Sequence, residues 1–161
     1  MPHVKSRLLS LLIAGLFIVW AAGAAQASAM TVTAAVKAQD RIVKDSAAYR
    51  SLKHISANTP AEARRLVTAF RALQRKVEHA ATVVSRASAV GTRQKLGQRD
   101  WVEGVRDLAR GIGQLDVALE DIIHGRNAAG RSELLRAKRT LAIANAVGTR
   151  GKRLLRIPAN D

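Results

Sequence analysis

Between Leu66 and Ala87, apolar side chains return at alternating steps of four and three residues: Leu66, Phe70, Leu73, Val77, Ala80, Val84 and Ala87. At 3.6 residues per turn that spacing holds one narrow apolar seam on one side of a helix, as in helices that pack into bundles. Just upstream, Thr59, Pro60 and Glu62 form a helix start. The threonine hydroxyl can cap, the proline sits where its missing N–H is not needed, and the acid reaches back to the cap. The pattern predicts a helix from Pro60 to Val90, about 31 residues and roughly 46 Å long, stopped by Gly91.

The same alternation recurs at Trp101, Val105, Leu108, Ile112, Leu115, Leu119 and Ile122. It follows the polar stretch GTRQKLGQR, read as a turn, with Asp100 and Glu103 as the capping pair and His124-Gly125 as the end. Gly104, Gly111 and Gly113 fall inside this helix. Each costs about 1 kcal/mol against alanine, which calls for either a close helix–helix approach or a bend. A further helix starts between Asn127 and Ser132, carries its seam on Leu134, Ala137, Leu141 and Ala144, and is ended by Gly148. Leu135, Ile143 and Val147 support that seam, and Leu154, Leu155 and Ile157 in the tail can fold back onto it. The first and least regular candidate runs from Thr33 to Ile55 on Val36, Ile42, Val43, Tyr49, Leu52 and Ile55. Strand-like alternation is missing, so the expected fold is all-α, an up-down-up-down four-helix bundle of long amphipathic helices.

A repeat sharpens this picture. AVGTR stands at 89–93 and again at 146–150, 57 residues later. Read as two helix stops, at Gly91 and Gly148, the two copies close helices that run parallel in such a bundle and therefore emerge at one end. That end gathers Arg93, Lys95 and Arg99 with Arg150, Lys152, Arg153 and Arg156. Cations collect at helix C-termini in any case, where the dipole stabilises each by about 0.3–1 kcal/mol. Seven in two turns exceed that need, and the surplus suggests a dock for anionic groups.

The remaining segments set the context. Residues 1–29 carry Lys5 and Arg7, an apolar run from Leu8 to Ala25, and overlapping A-x-A sites ending at Ala27 and Ala29. This is the order of a secretory signal peptide cut after Ala27 or Ala29; the alternative is an uncleaved membrane anchor. Residues 30–157 then form a single domain, and 158–161, beginning at Pro158, a disordered end. The chain holds 27 Lys and Arg against 12 Asp and Glu; without Lys5 and Arg7 the balance is 25 against 12, or +13. Such a charge attracts anionic polymers and surfaces. Cysteine is absent, which excludes disulfides and thiol catalysis.

Chemistry-bearing patterns are sparse. Asp116, Glu120 and His124 lie at i, i+4 and i+8, a weak metal-binding alternative, since bundle di-metal sites need two Glu-x-x-His elements and two further glutamates. His54 and His79 stand alone, and neither a nucleophile elbow nor a glycine-rich phosphate loop occurs. Aromatic residues for stacking on single-stranded nucleic acid are few and scattered. The expectation is an exported, non-enzymatic helical protein without cofactor, whose basic end contacts an anionic envelope polymer or an acidic partner. Two alternatives stand beside it: a periplasmic or extracellular chaperone-like or assembly subunit using an open apolar seam, and a metal- or small-ligand-binding bundle.

Overall fold

The computed structural model describes residues 30–51 and 60–158. They form five helices packed together: α1 (Val32–Lys44), α2 (Ala47–Ser51), α3 (Pro60–Ser85), α4 (Gly91–Ile123) and α5 (Asn127–Leu154). The all-helical class expected from the seams is what the chain adopts. Among the described residues the one extended pairing is a parallel bridge between Thr31 and Ser88.

The central element is α4, which buries two faces. On one it runs antiparallel to α3: Gln98 near its start meets Val84 and Ala87, and Asp116 near its far end meets Arg71. Phe70, Leu73, Val77, Ala80 and Val84 of α3 are buried against this face together with Val102, Val105, Ala109, Ile112 and Leu119 of α4. Helix α1 adds Val32, Ala35, Val36 and Val43 to the same core. It too is antiparallel to α3, with Thr31 beside Ser88 at one end and Gln39 and Ile42 near Arg75, Lys76 and His79 at the other. The α3 seam is thus buried throughout except for the half-buried Leu66, whereas Ile42 of α1 is about half exposed and Ile122 of α4 lies partly against Gly130.

The other face of α4 packs on α5 by a different device. Gly97, Gly104, Gly111 and Ala118 lie seven residues apart, and so do Gly130, Ala137, Ala144 and Gly151 on the antiparallel partner. A Cβ on Gly104 would lie 2.5 Å from the Gly148 nitrogen and 2.8 Å from the Ala144 carbonyl oxygen; one on Gly151 would lie 2.5 Å from the Trp101 nitrogen. The two backbones touch, so these positions cannot carry a larger side chain without the helices moving apart. The glycines inside the third predicted helix therefore serve close approach. Gly113 is the exception, since a Cβ there would meet only the Gln74 side chain at 3.7 Å, an ordinary contact.

Several boundaries differ from the expectation, each for a visible reason. The first predicted helix is broken at Asp45-Ser46, where the Ser46 hydroxyl donates to the Val43 carbonyl and accepts from the Tyr49 N–H, ending one helix and starting the next. Its continuation through Leu52 and Ile55, and the Thr59 cap, lie outside the described residues. Helix α3 ends at Ser85, not Val90. There Gln98 donates to the Val84 and Ala87 carbonyls at 2.6 and 2.9 Å, and Ser88 pairs with Met30 and Val32, so the final carbonyls and the link are satisfied early.

Neither copy of AVGTR is a helix stop. Gly91, at φ 76°, opens α4, and GTRQKLGQR is its first turns rather than a loop. The second copy lies inside α5, which runs through Gly148 to Leu154. That helix closes instead at Arg156, held at φ 57°, with Arg156 donating to the Arg153 carbonyl and Ile157 to the Lys152 carbonyl. Leu155 and Ile157 fold back and are buried, as the apolar tail suggested. The expected end at His124-Gly125 is found, with Gly125 at φ 75° and Arg126 donating to the Asp121 carbonyl.

Candidate functional site

The antiparallel α4·α5 pair sets the first turns of α4 beside the last turns of α5. Arg93, Lys95 and Arg99 on the one, and Arg150, Arg153 and Arg156 on the other, come to the same end of the molecule, where Arg93 donates to the Leu154 carbonyl at 2.9 Å. The gathering expected from the repeat occurs, but through the start of one helix and the end of its neighbour. The difference matters electrostatically. Cations at the end of α5 relieve its dipole, whereas Arg93 and Lys95 stand at the positive end of α4, where the dipole disfavours them. No acid sits in the first turn of α4, and its cap, Val90, offers no side-chain hydrogen bond.

The seven residues do not play one part. Asp100, which was read as a capping residue, lies within α4 and is almost fully buried; Arg150 donates to it at 2.7 Å and Arg99 pairs with it at 3.3 Å. That arrangement locks α4 to α5 and leaves both arginine side chains more than half exposed. Lys95, Arg153 and Arg156 are exposed and have no carboxylate partner among the described residues. Lys152 is different: it is buried and turned towards α1, its ammonium 2.6 Å from Asp40. The exposed basic end therefore consists of six residues.

Lys152 belongs to a cleft of about 410 Å³ between α1–α2 and the α4·α5 pair. Trp101, Val105, Leu108, Leu141 and Gly148 contribute to its lining, with Asp40, Lys44, Lys152, Asn145 and Thr149 as polar members. One carboxylate oxygen of Asp40 takes two ammonium groups, Lys152 at 2.6 Å and Lys44 at 3.0 Å. Burial pulls the Lys44 pKa down, but the hydrogen bond and charge of Asp40 outweigh it and leave the group raised above its ordinary value. Asp40 was not singled out by sequence reasoning. An isolated acid in an irregular amphipathic helix has no local pattern, and its partner lies 112 positions away.

Two acids near the far end of α4 tie it to α3. Arg71 of α3 donates to Asp116 at 2.9 Å and to Glu120 at 3.2 Å, while His124 lies with Nδ1 2.7 Å from the Glu120 backbone carbonyl. The bond and charge of Asp116, with Burial opposing and Glu120 adding, raise the already high pKa of Arg71. The carboxylates of the proposed metal set are thus engaged by a guanidinium, and among the described residues no group of three or more His, Asp or Glu is placed to hold a metal. His54 lies outside the described residues, and His79 is exposed beside α1.

Among the described residues no helix is long and apolar enough to cross a membrane. Set against models of protein families, curated proteins and solved structures, the chain matches none of them.

Proposed function

We propose that this is an exported, non-enzymatic interaction protein whose basic end contacts an anionic envelope polymer or an acidic partner. On this reading residues 1–29 are a signal peptide, and the antiparallel helix pairs are parts of an up-down four-helix bundle. The supporting observation is the meeting of Arg93, Lys95 and Arg99 with Arg150, Arg153 and Arg156 at one end. Helix-dipole compensation accounts for cations on α5 but not for those opening α4. Their placement makes sense when an anion from outside neutralises both groups, because backbone N–H groups at a helix start and guanidinium forks favour the same ligand. A linear polyanion suits six cations spread over two helices better than a single small ion does.

The test is retention on a polyphosphate or heparin resin over a salt gradient. The variant Arg93→Gln, Lys95→Gln, Arg153→Gln, Arg156→Gln, which spares the Asp100 pairs, is expected to elute at clearly lower salt than a control with four cations neutralised on α3, such as Arg64, Arg65, Arg75 and Lys76. Equal loss in the two would show general stickiness of a cationic chain, and the site would be abandoned.

The chaperone-like reading keeps one observation in its favour: Leu135 and Ile143, on the outer side of α5, are 61% and 56% exposed. Association that strengthens with protein concentration and disappears in Leu135→Ser, Ile143→Ser would favour it.

A further inference from the structure

Three large apolar side chains are left in water at the basic end: Met30, Val90 and Leu96 are 41%, 77% and 37% exposed. The backbone draws them together. The Met30 carbonyl accepts from the Ser88 N–H at 3.1 Å, Val90 follows two residues later as the cap of α4, and Leu96 lies within the next two turns of that helix. Leu96 stands three residues from both Arg93 and Arg99, so these flank it on the helix surface. Val90 is the most exposed of the three. It occupies a position where Ser, Thr, Asp or Asn would cap the helix, yet makes no side-chain bond. Its N–H is answered by the Gln94 side chain at 2.8 Å. Neither burial nor capping accounts for a valine there.

The charges around these side chains have one sign. No Asp or Glu occurs in the three stretches that meet at this end, 30–36, 85–99 and 149–158. Arg86, exposed just past the end of α3, adds a cation to the six already described. A soluble polyanion would answer the cations and leave the apolar groups in water. A protein partner would need an apolar hollow shaped to three side chains from separate stretches. An anionic bilayer surface answers both features without a shape match. Headgroup phosphates take the guanidinium and ammonium groups, while the apolar side chains enter the boundary with the acyl chains. Arginine and lysine stems lie along that boundary with their charges at the phosphate level.

We propose that the basic end docks on an anionic lipid surface, with Met30, Val90 and Leu96 entering it and Arg93, Lys95, Arg153 and Arg156 held by headgroup phosphates. The inference rests on the reading of the basic end as the contact surface. It adds a lipid contact to the polymer contact: the cations serve both, the apolar groups only the lipid.

The test uses the chain recovered after export. Because it lacks cysteine, one polarity-sensitive dye can be placed at Thr92→Cys, in the exposed first turn of α4, or at Ser132→Cys, exposed near the start of α5 at the opposite end. Each labelled chain is titrated with vesicles of phosphatidylcholine alone and of phosphatidylcholine mixed equally with phosphatidylglycerol. A blue shift is expected at Thr92 on the mixed vesicles only, and none at Ser132. Val90→Ser with Leu96→Ser is expected to weaken the mixed-vesicle titration about tenfold and to leave elution from the polyphosphate resin unchanged. The melting temperature of that pair is expected to hold or rise, because serine caps better than valine; a merely structural role for Val90 would lower it. Arg93→Gln, Lys95→Gln, Arg153→Gln, Arg156→Gln is expected to lose both vesicle binding and resin retention. An equal shift on neutral vesicles, an equal shift at Ser132, or indifference to the serine pair overturns the lipid contact. Resin retention without vesicle binding also overturns it, and leaves a soluble polymer or an acidic protein as the partner. Equal resin loss in the α3 control removes both readings together.

Discussion

The two faces of α4 are buried by opposite means. Against α3, large side chains interlock: Phe70, Leu73 and Ile112 are almost wholly withdrawn from water. Against α5, small residues vacate space: Gly104 and Gly151 let one backbone lie on the other, while Gly97 and Gly111 make room for the Leu155 and Leu141 side chains. The first interface gains from removing apolar area from water, at about 25 cal/mol per Å². The second gains from many close backbone and methyl contacts, each small, that exist only while no Cβ intrudes. One helix thus satisfies two neighbours, and the identity of its residues can be read as a choice between filling space and vacating it.

That contrast can be broken from either side. Phe70→Ala removes the largest fully buried side chain from the α3 interface and is expected to cost about 3–5 kcal/mol, read as a lowered urea midpoint with an unchanged slope. Gly104→Ala makes the opposite change on the opposite face. In an isolated helix it would gain about 1 kcal/mol, but the new methyl would meet the Gly148 backbone at 2.5 Å. The expected outcome is a net loss of about 1–3 kcal/mol from overpacking. A gain instead would show that α5 can retreat freely. The smallest effect sharpens the comparison: Gly113→Ala lies on the same helix, away from that seam, with ordinary contact to Gln74 at 3.7 Å. It is expected to stabilise by about 0.4–1 kcal/mol. Opposite signs for Gly104 and Gly113 in thermal melts would separate close approach from helix propensity within one element.

The α3 interface was legible in the sequence because large apolar residues announce themselves by spacing: Phe70, Val77 and Val84 mark their own seam. The α5 interface was not, because its signal is an absence. Gly97, Gly104, Gly111 and Ala118 keep a seven-residue spacing, matched by Gly130, Ala137, Ala144 and Gly151, but glycine reads locally as a breaker. The same habit assigned Gly148 to a helix end, when a neighbouring backbone and an open cleft surround it. Asp100 was misplaced for a related reason: an acid near a helix start fits a cap, and only the folded chain brings Arg150 to it. Of the basic residues, the sequence reading brought Arg93, Lys95 and Arg99 together with Arg150, Arg153 and Arg156, though through helix stops that the fold does not contain. The inward turn of Lys152 depended on Asp40, which no local pattern links to it.

The short bridge between Thr31 and Ser88 carries a consequence for how the molecule is tethered. It fixes Met30, and with it the point where the preceding segment departs, next to the link that leads into α4 and its arginines. If that segment is trimmed, the newly freed α-amino group adds one more cation to this pole. If it is retained in a bilayer, the same pole is the part of the domain held nearest the leaflet.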